Sequence, residues 1–297
     1  MFKKLFSKNK PANWLQKGLI FAKKRKYQEA IECFNRVLES DPNCIPALVD
    51  KATSLYALEK YVEALKCCDK AIKIDQNYYN VWYVKGLVLE ILEKHKEALN
   101  CFDKALELEP TDAAVWFNKG NTLNEMGKLD ESLKCYDKAL ELEPTDADYW
   151  EEKGNTLADL GKIEDALKCF DRALNLESNN YMVWYNKGTL LADLEDYESA
   201  LNCFNKALQL NQNHPSIWFN KGTTLINMDR FEESLNCFDK ALELKSNHIS
   251  AWKNKGDALK MLGSYDEAIK CYNKALKIDP DYEQAIKAKN ELLSEIS

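Results

Sequence analysis

Across 297 residues the chain carries only 10 Gly and 7 Pro, so flexible linkers are nearly absent and one continuous helix-rich body is expected. The net charge of −7 comes from lysines and glutamates interspersed along the chain, which leaves no basic stripe and excludes a nucleic-acid partner from the expectation. No run approaches the roughly 18 consecutive apolar residues of a membrane span, and Met1 to Lys10 lacks the apolar core of a signal peptide, so a soluble cytoplasmic protein is expected.

The first element is the basic segment Met1 to Lys10, MFKKLFSKNK, in which Phe2, Leu5 and Phe6 fall on one side of a helical turn with lysines around them. It reads either as a contact for a membrane surface or a partner, or as a frayed tail. From residue 11 a 34-residue period takes over: tryptophans stand at 82, 116, 150, 184, 218 and 252, Trp14 fits the same frame, and Leu48 fills the intervening slot. Eight units therefore begin at 11, 45, 79, 113, 147, 181, 215 and 249, with the tryptophan at position 4 of each. Position 8 is Gly in seven units and Ala52 in the second, and position 11 is Leu in seven and Phe21 in the first. Positions 4, 8 and 11 share one helical face, which predicts a first helix whose glycine admits a close neighbour. Small residues at position 20 (Ala98, Ser132, Ala166) and alanine at 27 flank a ring at 24 (Phe102, Tyr136, Phe170), which predicts a second, nesting helix. Gly127, Gly161 and Gly263 at position 15 mark the turn between the two, and Pro42, Pro110, Pro144 and Pro280 at position 32 stop the second helix. Residues 283–297 keep the frame through Ile286, Lys289 and Leu293, so they predict a first helix without its second, a capping helix.

This pattern resembles the tetratricopeptide repeat (TPR) family over residues 11–282, with two departures: lysine replaces the leucine of position 7, and leucine mostly replaces the tyrosine of position 11. The resemblance implies an all-α fold, a right-handed superhelical solenoid of antiparallel helix pairs, with an extended concave groove lined by positions 2, 5, 6, 9, 12 and 13.

The repeat absorbs nearly every residue that could carry chemistry. No glycine remains for a phosphate-cradling loop. Eight of the ten cysteines share position 23, where stacked helices hold them about 8 to 10 Å apart, so they are expected as separate thiols in a reducing compartment. His95 takes a packing position, and His214 and His248 fall at position 34 without a carboxylate or cysteine motif for a metal. No catalytic residue, metal or cofactor is expected. The acidic residues read as a solvated face, although a paired acid and base stays open as the competing reading.

Position 7 is lysine in all eight units, on the border of the buried stripe. It reads either as a cationic ladder for an anionic ligand or as a side chain whose stem covers apolar surface while the ammonium reaches water. The groove positions implied by the resemblance hold the candidate site. Position 5 carries Tyr83, Phe117, Tyr185 and Phe219 as aromatic anchors, position 6 carries Asn118, Asn186, Asn220 and Asn254, and position 9 adds Asn121 and Asn155. Asparagine offers a donor and an acceptor to a ligand backbone whatever its sequence, or is merely a tolerated exposed helix residue. Asp148, Glu151 and Glu152 put acid between Phe117 and Tyr185, so the expected ligand carries a basic residue between two apolar anchors. The carboxylate clamp of chaperone-tail binders in the family is absent, since Lys253 is the sole lysine at position 5 and Asp257 follows it at position 9. The expectation is a non-catalytic interaction scaffold, with a targeting or regulatory module of an enzyme complex and a self-assembling protein as alternatives.

Overall fold

The structure is a computed structural model that describes residues 11–296, and the leading Met1–Lys10 segment lies outside the described residues. The chain divides into two compact units, residues 1–156 and 157–297. Each is built only of helices among the described residues, seventeen in all. The first helices of the pairs are α1 (Pro11–Lys23), α3 (Ile45–Ala57), α5 (Tyr79–Ile91), α7 (Ala113–Glu125), α9 (Ala147–Asp159), α11 (Tyr181–Asp193), α13 (Pro215–Asn227) and α15 (Ile249–Met261). The second helices are α2 (Tyr27–Ser40), α4 (Tyr61–Ile74), α6 (His95–Leu108), α8 (Leu129–Leu142), α10 (Ile163–Leu176), α12 (Tyr197–Leu210), α14 (Phe231–Leu244) and α16 (Tyr265–Ile278), and α17 (Glu283–Ile296) follows. Every first helix starts at repeat position 1 and every second helix at position 17. None of these helices is long and apolar enough to cross a membrane.

The turn inside each pair is a left-handed residue at position 15. Gly127, Gly161 and Gly263 have φ of 72°, 71° and 74°, and Arg25, Glu59, Glu93, Glu195 and Asp229 take φ of 56° to 62° in the other repeats. The next amide returns to the carbonyl of position 11, as in Lys128 N to Leu123 O at 2.9 Å and Arg230 N to Leu225 O at 2.9 Å, the six-to-one bond of a Schellman stop.

Packing inside a pair depends on position 8. A Cβ placed on Gly120 would stand 2.6 Å from Cε1 of the Tyr136 ring, and one on Gly86 would stand 2.5 Å from Cε1 of Phe102. Both rings are fully buried. The second repeat changes both partners together, with Ala52 at position 8 and Cys68 at 24, each fully buried. Removing the ring leaves room for the extra methyl.

Packing between repeats uses the tryptophan and the lysine. From Trp82 onward each indole Nε1 donates to the carbonyl at position 32 of the preceding repeat, Trp116 to Pro110 at 3.0 Å and Trp150 to Pro144 at 3.0 Å in the first unit, Trp184 to Ser178 at 3.0 Å and Trp252 to Ser246 at 3.0 Å in the second. The position-7 ammonium lies over the same indole, 5.3 Å from the Trp116 centroid for Lys119, and reaches an aspartate at position 25 of the preceding repeat. Lys85 meets Asp69 at 2.7 Å, Lys119 meets Asp103 at 2.6 Å, Lys153 meets Asp137 at 2.6 Å, Lys187 meets Asp171 at 2.5 Å, and Lys255 meets Asp239. The lysine row is therefore largely a set of inter-repeat rungs. Each rung joins a half-covered cation to an exposed carboxylate, so each contributes about 1 kcal/mol or less. The position-23 cysteines are buried, and burial pushes the thiols of Cys101, Cys135, Cys203 and Cys237 up to about 11.

Candidate functional site

Within each unit consecutive first helices pack side by side, α1, α3, α5 and α7 in the first and α11, α13, α15 and α17 in the second. The positions singled out in the sequence lie on these helices and on α9. The structure gives most of them a partner inside the scaffold.

In the first unit the Asn118 Nδ2 donates to the Tyr83 hydroxyl at 3.1 Å and to the Ala114 carbonyl at 2.7 Å. Tyr83 is half-buried against Phe102, and burial pushes its phenol up to about 12. Phe117 is half-buried, stacked on Tyr149 at 4.5 Å between centroids and tilted against Tyr136 at 5.8 Å. The Asn121 Oδ1 accepts from the Tyr136 hydroxyl at 2.8 Å. Asp148 is exposed, Glu151 and Glu152 are half-buried, and Asn155 donates weakly to Glu152 at 3.5 Å. Burial, reinforced by the neighbouring Asp148, raises the Glu152 carboxyl above its usual range despite that donor.

The second unit repeats the seam. Asn220 Nδ2 donates to the Tyr185 hydroxyl at 3.1 Å and the Thr189 hydroxyl at 3.2 Å, and Asn254 Nδ2 donates to the Thr223 hydroxyl at 3.2 Å. Asn186 stands half-buried on α11. Tyr185 lies against Phe204 and His214, and Phe219 lies against Phe238 and His248. His248 is a cap: its Nδ1 accepts from the Ala251 amide at 3.3 Å, and burial lowers its pKa. Lys253 is paired with Asp257 at 2.6 Å, and Asp257 also accepts from the Tyr272 hydroxyl at 3.0 Å. The one lysine at position 5 is thus already neutralised.

Sequence reasoning missed the polar residues that complete the seam. Thr122 donates to Glu90 at 3.0 Å and Asn124 donates to Thr156 at 2.6 Å, both across adjacent first helices. It also missed Asp50, which stands at position 6 of the second repeat, where other repeats carry asparagine. Its carboxylate makes no hydrogen bond or ion pair among the described residues, and burial alone raises it to about 6. A folded-state pKa above the unfolded value means that the folded chain holds this proton more tightly, so its contribution is present at low pH and lost as pH rises through about 6. Asp50→Asn is accordingly expected to melt above the wild type near pH 7.5, with the difference closing near pH 4, as thermal melts at the two values would show.

Helix pairs of fixed length, a ring seated on a glycine in most pairs, and an indole clamp at the junctions from Trp82 onward define a helical-repeat protein. A tetratricopeptide repeat family profile matches residues 113–146, 181–214, 215–248 and 249–282, a second tetratricopeptide profile matches 135–168, and a profile for anaphase-promoting complex subunit 3 matches 23–105. Among solved structures the chain is similar to YrrB, described as a TPR protein with an unusual peptide-binding site, at 31% identity and TM-score 0.57, over 64% of this chain and 97% of that one. It shares the fold of MamA at 21% identity and TM-score 0.54, over 58% of this chain and 94% of that one. It also shares the fold of the APC/C hetero-tetramer Cut9–Hcn1 at 18% identity and TM-score 0.62, over 90% of this chain but only 52% of that one. No curated protein matches the sequence. The chain belongs to the tetratricopeptide repeat family.

Proposed function

We propose that this chain is a non-catalytic, cytoplasmic scaffold that holds an extended segment of a partner protein against its first helices. The observation that carries the reading is the division of labour on that face in the first unit. Tyr83, Asn118, Asn121 and Tyr136 tie the helices to one another, while Asp148 is exposed beside the half-buried Glu151 and Glu152. The likeness to a peptide-binding relative at 31% identity supports the same assignment. The asparagine Nδ2 groups that bond within the scaffold leave mainly carbonyl oxygens to a ligand, which suits backbone or side-chain N–H donors. The preferred ligand then carries a basic residue next to an apolar one, the first for the acidic group and the second for the Phe117 edge. Half-burial of Glu151 and Glu152 screens them less than a flat rim would and so gives such a pair more than the usual ~1 kcal/mol.

Peptides selected from an array should bind the double variant Glu151→Lys, Glu152→Lys more weakly than the wild type, with a smaller salt dependence and an unchanged circular dichroism spectrum. Equal affinity in the two proteins would remove the acidic group from recognition. Pull-down of one stable enzyme instead of a set of related peptides would favour a targeting module over a general scaffold.

A further inference from the structure

The second repeat breaks the pattern in several places that meet at one spot. Position 4 is Leu48 where other repeats place the clamping tryptophan, and position 25 of the preceding repeat is Asn35 where all five rungs described above start from aspartate, at Asp69, Asp103, Asp137, Asp171 and Asp239. Position 29 is Lys73, where Glu107, Glu141 and Glu243 pair with the lysine three residues before them at 2.5, 2.6 and 2.6 Å. The consequence is an open recess of roughly 480 Å³ lined by residues of α2, α3 and α4, none of them a residue of the candidate peptide site. Asn35, Glu39, Leu48, Lys51, Lys66 and Lys70 are among its lining residues.

Lys51 has lost its aspartate, and Lys70 has lost its glutamate. Lys66 stands one helical turn before Lys70 on the same face of α4. None of the three ammoniums makes a hydrogen bond or ion pair among the described residues. Against three cations the recess holds one carboxylate, Glu39. An excess of two positive charges fits a group carrying about −1.5 to −2 charges at neutral pH, and the Asn35 amide adds an uncharged donor. Lysines bind phosphate as point charges and need no fixed fork geometry.

We propose that this recess is an anion site for a phosphate monoester, either free or carried on a phosphorylated side chain of a partner. The recess is separate from the candidate peptide site and stands or falls independently of the peptide reading. Asn35→Asp places in the recess the residue that the other rungs use, so it should neutralise Lys51 and exclude the ligand without harming the fold. Leu48→Trp should restore the indole and fill the space. The seventh repeat supplies a control. There Asn205 holds position 25 of the repeat before Lys221, but Trp218 is in place under that lysine and Lys240 is paired with Glu243.

The test is calorimetric titration of the full chain, at low ionic strength near pH 7.5, with inorganic phosphate, N-acetyl-O-phosphoserine amide and acetate as probes. Saturable binding of phosphate or phosphoserine at one site is expected, weakened about tenfold or more by Asn35→Asp and unchanged by Asn205→Asp. Tighter binding of the phosphoserine probe would assign the source to a modified partner, and equal binding would assign it to the free anion. The proposal is overturned if neither phosphate probe saturates, if acetate binds as tightly, or if Asn35→Asp, folded by circular dichroism, binds as the wild type does. Should Asn35→Asp not fold, Leu48→Trp decides by the same criterion.

Discussion

Phe102→Ala is expected to destabilise the third repeat by about 3–5 kcal/mol, the cost of truncating a fully buried ring and leaving its cavity. Phe102 sits over Gly86 and belongs to a cluster with Leu89, Ala98, Ala105, Leu106 and Val115, so its removal empties the space between α5, α6 and the start of α7. Repeats bury their apolar faces only against neighbours, which makes stability local. Hydrogen exchange should therefore show lost protection in α5 and α6, with α7 following and α1 and α2 retaining theirs. Equal loss over the whole chain would contradict nearest-neighbour packing.

Gly120→Val should be nearly as damaging, about 3 kcal/mol, at the upper end of overpacking costs. Its first carbon alone would stand 2.6 Å from a Tyr136 ring that is fully buried and anchored through its hydroxyl to Asn121 at 2.8 Å. The ring has nowhere to turn. Gly127→Asn tests the other glycine class: nothing lies within 4 Å of a Cβ there, and charged residues already adopt the left-handed conformation at the same position of five repeats. It should cost about 1 kcal/mol or less. Urea melts of the two variants should separate widely, and similar midpoints would remove the steric reading of position 8.

The fold was legible because its determinants repeat at fixed spacing. A glycine at position 8 and a ring at position 24 showed in the repeat, but that the ring seats on the glycine 16 residues before it did not, although Ala52 with Cys68 in the second repeat carried that signal. The inter-repeat contacts were less legible. Lys119 and Asp103 are 16 residues apart across a turn, so neither the 3.6-residue period nor the helix-surface spacing pairs them. A signal was present, since aspartate recurs at position 25 at 69, 103, 137, 171 and 239. The site divides in the same way. Asn118 and Asn220 lie on first helices, yet their amides reach back 35 residues to Tyr83 and Tyr185, and an asparagine's dual chemistry does not reveal whether it serves scaffold or ligand. Phe117 read as an open anchor, whereas stacking on Tyr149 leaves only part of its ring to solvent.

A partner segment held by the first helices rather than the second ones should label the first helices through a probe that it carries. The most direct measurement is photo-cross-linking with an array-selected peptide bearing a benzophenone beside its basic residue, followed by mapping of the adducts. Saturable cross-links are expected within residues 113–125 and 147–156, competed by the unlabelled peptide and lost in the Glu151→Lys, Glu152→Lys variant. Competed cross-links confined to α6 and α8, with residues 113–125 unlabelled, would contradict binding by the first helices.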